Sequence, residues 1–240
     1  MTVLPYKAEK SGKKEQVAKM FNNISHRYDF LNHLLSLGID KVWRKKAIRF
    51  LKPLNPQILL DVATGTGDFA IQALALHPQK IIGIDISEGM LAMGRRKIKN
   101  LALTHKIELC SGDSENLQFE NNKFDAVTVG FGVRNFENLE KGLSEILRVM
   151  RPGGMLVVLE FSRPRTFPMR QVYNFYFKNI LPGLGRLISS DKSAYSYLPE
   201  SVEAFPDGTD FEKILRKVGF KETACIPLTF GISSIYTALK

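Results

Sequence analysis

Asp61-Val62-Ala63-Thr64-Gly65-Thr66-Gly67-Asp68 is the stretch on which the fold turns. It follows Ile58-Leu59-Leu60, a buried-strand run, and leads into a helical pattern. Gly65 and Gly67 permit positive φ and let the backbone approach a ligand closely. The helix that follows offers free N–H groups and the positive end of its dipole, which suits a carboxylate or a phosphate. Gly65-x-Gly67-x-x-Ala70 also satisfies the glycine pattern of dinucleotide-binding turns.

Outward from this turn the same unit recurs. Ile81 to Ile84, Ile107 to Cys110, Phe124 to Val129 and Met155 to Phe161 read as further buried strands, the last entered through Pro152-Gly153-Gly154. Helical stretches such as Glu88 to Leu101 and Leu139 to Met150 separate them. Strands alternating with helices imply a parallel sheet with right-handed crossovers. After a helix over Phe211 to Val218, Phe220 to Leu228 and Ile232 to Leu239 read as two strands joined at Phe230-Gly231, a link short enough to require an antiparallel pair. The expected fold is α/β and Rossmann-like, a mostly parallel seven-stranded sheet with an antiparallel C-terminal hairpin, the sheet of class I methyltransferases. Ahead of it, residues 1–15 read as a flexible basic tail and 16–56 as a helical cap of two or more short helices broken near Gly38. Residues 57–240 form the main domain, with a substrate-side insertion at about 162–207.

Composition narrows the class. The chain has 240 residues, ample for one α/β domain with additions. Cys110 and Cys225 stand far apart with no CxxC, which points to neither a disulfide framework nor a zinc site, and no spacing suggests a metal. No apolar run reaches the roughly 20 residues of a membrane span, and the N-terminus lacks a signal-peptide core. The expectation is a cytoplasmic protein. Its net charge of +10 suits an anionic partner without choosing one.

Carboxylates at successive strand ends point to the ligand. Asp85 closes the second strand 20 residues after Gly65, where a ribose-binding acid stands in both nicotinamide-dinucleotide and S-adenosylmethionine proteins. Asp61 suits the cationic methionine end of S-adenosylmethionine. Gly112-Asp113-Ser114 follows the third strand and suits an adenine amine, and no separate hydride-acceptor domain follows. These features favour S-adenosylmethionine, with NAD as the rival.

The chain resembles the ubiquinone/menaquinone biosynthesis C-methyltransferases from about Met20 to its end. The shared segments include Arg27-Tyr28-Asp29-Phe30-Leu31-Asn32, Leu37-Gly38-Ile39-Asp40 with Trp43-Arg44, Asp61 to Asp68, Gly83 to Ser87 and Gly112 to Glu115. Phe131-Gly132-Val133-Arg134-Asn135, Arg151 to Gly154, Leu159 to Ser162 and Tyr197-Leu198-Pro199-Glu200-Ser201 with Phe205-Pro206 complete them. The resemblance implies S-adenosylmethionine contacts at Thr66, Asp85, Asp113 and Ser114. The expected cofactor-binding set is Asp61, Gly65, Thr66, Gly67, Asp85, Ile86, Asp113, Ser114 and Gly130. Serine is frequent in the family where Gly130 stands, so no hydroxyl contact carries over there. The implied reaction is methylation of a ring carbon of a prenylated quinol. The insertion, with Tyr173-Asn174-Phe175-Tyr176-Phe177, resembles the menaquinone branch more than the ubiquinone one.

Arg134 and Asn135, just beyond the fourth strand, are the expected catalytic residues with Tyr28 of the cap. Arg134 is expected to stabilise a developing oxyanion or hold a water. His26 and Asp29 are expected to close over the site with Tyr28. A prenylated substrate stays in a bilayer, so the expected partners are the quinol and, peripherally, the inner face of the cell membrane. Met169 to Ser190, with Arg170, Lys178 and Arg186 among aromatic and aliphatic residues, is the expected docking or tail-binding segment. A nucleic-acid substrate is not expected. Val129-Gly130-Phe131-Gly132 stands where base N-methylation uses Asn/Asp-Pro-Pro-Tyr/Phe, and neither cysteine has a cytosine-methylating setting.

Overall fold

A computed structural model describes residues 3–36, 38–175 and 192–240; the side chains of residues 27, 29–35, 174 and 192–195 lie outside the description. Seven strands form one sheet: β1 (Ile58–Val62), β2 (Lys80–Asp85), β3 (Ile107–Ser111), β4 (Phe124–Gly130), β5 (Met150–Phe161), β6 (Lys221–Leu228) and β7 (Ser233–Leu239). Their order is β3-β2-β1-β4-β5-β7-β6. The pairs β1–β2, β1–β4, β2–β3 and β4–β5 are parallel, whereas β7 is antiparallel to both β5 and β6. Only β7 therefore runs against the rest. The hairpin was legible, but the insertion of β7 between β5 and β6 was not.

The helices are α1 (Lys13–Leu35), α2 (Ile39–Arg49), α3 (Asp68–Ala73), α4 (Glu88–Asn100), α5 (Leu139–Val149), α6 (Met169–Phe175), α7 (Lys192–Ala204) and α8 (Thr209–Val218). Strand alternation divides the core. Leu60 and Val62 of β1 join Leu143, Ile146, Phe211 and Leu215 of α5 and α8 on one face. Leu59, from the same strand, joins Trp43, Ala47, Ile48, Phe69, Leu91 and Ile98 of α2, α3 and α4 on the other. Local chemistry sets the ends of α4. The Ser87 hydroxyl accepts from Met90 N, Glu88 sits in the first turn, and Lys97 and Lys99 sit in the last.

Two boundaries differ from expectation. Residues 13–15, assigned to a tail, are the first turn of α1. Lys13 N donates to Glu137 Oε1 at 2.7 Å, a partner 124 positions away. One 23-residue helix replaces the short pieces expected before Gly38. The fifth strand begins at Met150 rather than Met155. Its register against β4 shifts between Phe124 and Ala126, which accommodates Pro152-Gly153-Gly154 as an irregularity within the strand.

Candidate functional site

The C-terminal ends of the parallel strands open into a cleft of about 650 Å³. Gly65, Asp85, Ile86, Asp113, Ser114 and Gly130 line it, as do Asn135 and Tyr28. Asp85 is buried at the end of β2. Its Oδ2 accepts from Gly65 N and its Oδ1 from Ser87 N, both at 2.8 Å. Burial raises its pKa, and these N–H donors pull it back. A carboxylate offers about four acceptor positions. One holds the glycine turn and one the cap of α4, which leaves capacity for a ribose diol. Gly65 (φ 57) and Gly67 (φ 83) stand in the left-handed region that lets the turn fold under a ligand. Ile84, Ile86 and Met90 supply an apolar shelf between Asp85 and Asp113.

Asp113 sits where the adenine amine was expected, but it already has partners. Its Oδ1 accepts from Glu115 N at 2.9 Å and its Oδ2 from Lys14 Nζ at 2.7 Å. The lining fits S-adenosylmethionine: one carboxylate to accept from a diol, a second to accept from an amine, and apolar side chains beside them. Gly130 contributes backbone alone. A Cβ there would come within 2.8 Å of the Phe69 ring, so the frequent serine has no room.

Asp61, Thr66 and Gly67 are not among the described residues that line the cleft. Asp61 lies beneath the turn, 1% exposed. Its Oδ2 accepts from the Thr64 hydroxyl at 2.6 Å and its Oδ1 from the Thr128 hydroxyl at 2.7 Å. Desolvation lifts its pKa to about 6 against those hydrogen bonds. It fastens β1, β4 and the glycine turn together. The Thr66 hydroxyl faces α4, where Lys97 Nζ donates to it at 3.0 Å. Gly67 is the left-handed residue that starts α3.

Arg134 also turns away from the cleft wall. Its Nη1 donates to Glu160 Oε1 and to the Phe131 carbonyl, each at 2.6 Å. The pair is buried, with the two side chains 7% and 0% exposed. Glu160 Oε1 also accepts from Phe161 N, and its Oε2 accepts from Arg134 N at 3.4 Å. Burial pushes the Glu160 carboxyl up, and the guanidinium draws it back down. The pair anchors the 131–136 turn, from which Phe131, Asn135 and Phe136 reach the cleft. Asn135 Oδ1 accepts from the Tyr197 hydroxyl at 3.1 Å, and burial holds that phenol up at about 12.

Helix α1 roofs the cleft with Lys14, Val17, Phe21 and Tyr28, one helical face. Phe21 and Tyr28 pack edge to face at 5.8 Å. Asn22 Oδ1 accepts from Ser87 Oγ and Gly89 N, both at 2.8 Å, which ties α1 to the start of α4. Lys13 Nζ donates to the carbonyls of Arg134 and Phe136, and burial lowers its pKa to about 8. His26 is exposed. The Asp29 side chain lies outside the described residues, as do Tyr176, Phe177, Lys178 and Arg186 of the expected docking segment. Lys14, Phe21, Glu160 and Tyr197 belong to the site beyond the residues that the sequence points to. The spacing from Lys14 to Tyr28 was a readable signal, whereas the Glu160–Arg134 pair had none within either segment. No described helix is long and apolar enough to cross a membrane.

Known proteins match this arrangement throughout its length. A family model described as the ubiE/COQ5 methyltransferase family matches residues 9–240. The chain is 53% identical over 240 residues to a protein of Bacteroides fragilis named demethylmenaquinone methyltransferase, covering 99% of this chain and 97% of that one. It is 44% identical over 230 residues to a ubiquinone/menaquinone biosynthesis C-methyltransferase of Geobacter sulfurreducens, with 95% and 90% covered. Among solved structures, a SAM-dependent methyltransferase from Thermotoga maritima superposes with a TM-score of 0.65 at 18% identity, covering 92% of this chain and 99% of that one. That likeness shows the fold. With the cleft's fit to an adenosyl ligand, these matches make the chain an S-adenosylmethionine-dependent methyltransferase, and it belongs to the ubiE/COQ5 methyltransferase family.

Proposed function

We propose that this enzyme methylates a ring carbon of demethylmenaquinol to give menaquinol, at the surface of the membrane that holds its prenylated substrate. The observation that carries this reading is the 53% identity, spanning both chains, with a protein of that name. S-adenosylmethionine, when bound, supplies an electrophilic methyl group. Asp85 would hold its ribose, Asp113 and Ser114 its adenine, and the glycine turn its methionine end. A ring carbon attacks most readily once the neighbouring hydroxyl has passed its proton to water, and the C–H proton of the methylated carbon then leaves to water to restore the quinol. Arg134, neutralised by Glu160, would act through the 131–136 turn that it anchors, which carries Asn135 to the ring. Asn135, held by Tyr197, and Tyr28 on the roof would orient the ring. Holding two reactants near attack distance supplies about 7–11 kcal/mol of a barrier. Each buried CH₂ of a prenyl tail favours an apolar phase by about 0.8 kcal/mol, so the enzyme has to meet its substrate at lipid.

The test incubates the protein with methyl-labelled S-adenosylmethionine and either reduced demethylmenaquinone or 2-polyprenyl-6-methoxy-1,4-benzoquinol, and reads product mass. Label in menaquinol is the expected result. Methylation of the benzoquinol alone would move the enzyme to the ubiquinone branch, and methylation of neither would end the quinol reading.

A further inference from the structure

Helix α2 divides cleanly into two faces. Asp40, Trp43, Arg44, Ala47 and Ile48 are buried. Lys41, Val42, Lys45, Lys46 and Arg49 are exposed, and so is Lys52 in the short turn that follows. At helical spacing the outward positions form one continuous arc. Among the described residues, none of the cations on this arc pairs with a carboxylate. Four outward cations elsewhere are neutralised locally, Arg95 by Glu88, Lys213 by Asp210, Arg216 by Glu212 and Lys217 by Glu140. Arg96 and Lys99 of α4 and Lys221 of β6 are exposed without such a pair among the described residues, but stand as one or two charges rather than a row of five.

The arc also carries apolar side chains: Val42, 64% exposed, stands among the cations, and Ile39, 37% exposed, stands at the edge next to Trp43. Trp43 Nε1 donates to Thr229 Oγ1 at 2.8 Å, which brings the β6–β7 turn against the helix. The next residue in that turn, Phe230, is 75% exposed and held at φ 56. The same turn closes on the chain leaving β5, where Ser162 N donates to Ile232 O at 3.0 Å. Phe161 and Ser162 mark the C-terminal end of β5, the crevice side of the sheet.

We propose that the outer face of α2, together with the Phe230 turn, is the surface by which this protein docks on an anionic lipid bilayer. The cations complement anionic headgroups, and Ile39, Val42 and Phe230 enter the boundary beneath them. A nucleic-acid backbone would accept the same cations but would give Val42 and Ile39 nothing apolar to enter. The Phe230 turn carries this surface to the crevice edge of the sheet, beside the end of β5, the edge at which a prenylated quinol would enter. The purpose of the surface rests on the proposed quinol substrate; its existence rests on α2 and the turn.

The test is flotation of the full chain with phosphatidylcholine vesicles, with and without phosphatidylglycerol, in the absence of any quinol. Binding is expected only with phosphatidylglycerol and is expected to weaken as salt rises. Each cation removed should weaken binding about fivefold, so Lys41→Gln with Lys45→Gln and Arg49→Gln together should weaken it about a hundredfold. Phe230→Ser should weaken it by about tenfold and leave the salt dependence in place. Both variants should keep the wild-type melting temperature and full turnover of a short-tailed, water-soluble quinol. Absence of binding to phosphatidylglycerol vesicles at low salt overturns the proposal. So does binding that neither variant weakens, or a preference for single-stranded RNA that the triple variant abolishes while vesicle binding persists. Failure of the wild type on the soluble quinol would count against the proposed reaction and leave the vesicle result standing.

Discussion

Arg134 and Glu160 meet at 2.6 Å with almost no exposure to water, and that geometry governs what a substitution at either one does. Removing one partner of a buried pair strands the other charge, which costs about 3–5 kcal/mol, whereas replacing both with apolar groups of similar volume is often close to neutral. In urea denaturation, Arg134→Ala and Glu160→Gln should therefore each lower stability substantially. Arg134→Met combined with Glu160→Leu should recover most of that loss. A double variant as unstable as the sum of the single ones would show that the two groups do not act as a pair. Because Arg134 anchors the turn that carries Asn135 yet is not itself on the cleft wall, Arg134→Ala should also cut turnover far more than affinity for S-adenosylhomocysteine. Equal loss of both would leave the guanidinium a structural role only. At this scale Asp85 and Asp113 were legible, since each follows directly from a strand end. The inward turn of Arg134 was not. Its partner lies 26 positions away on β5, and only the pairing of β4 with β5 brings them together.

Helix α1 shows where reading by element stops. The buried runs of β1 to β5 announce themselves through their apolar content, and α4 through its Ser87 cap. The start of α1 has no such mark. Lys13 and Lys14 look like tail residues until their ammonium groups find the carbonyls of Arg134 and Phe136 and the carboxylate of Asp113. Tertiary partners thus set the first turn, and the roof over the cleft comes with it. This creates a competition, because Lys14 Nζ sits on the Asp113 oxygen that an adenine amine would use. The ion pair is about a third exposed on each side, so its worth is limited to about 1 kcal/mol. Lys14→Met should therefore strengthen S-adenosylhomocysteine binding by up to about fivefold in titration calorimetry. Weaker binding would mean that Lys14 holds the ligand rather than competes with it.

Across the whole molecule, one crevice gathers contributions from distant parts of the chain. The glycine turn comes from β1, Asp85 from β2, Asp113 from beyond β3, Asn135 from beyond β4, and the roof from α1. The strand-side half of this list was readable because strand ends in an open parallel sheet face a common edge. Of the roof, closure by Tyr28 was expected, but the part taken by Lys14, Val17 and Phe21 was not, because nothing local fixes which face of α1 lies across that edge. The roof also separates the two adenosine ligands that Asp85 alone could serve. Lys14, Val17, Phe21 and Tyr28 close over the cleft, and NAD would have to bring a second nucleotide past them. A ligand at a hundred times its Kd stabilises the native state by about 2.7 kcal/mol. For a chain of this size each kcal/mol is worth about 2–4 °C, so S-adenosylhomocysteine should raise the melting temperature by about 5–10 °C. NAD at the same concentration should leave it unchanged. A shift with NAD and none with S-adenosylhomocysteine would mean that the crevice is built for hydride rather than methyl transfer.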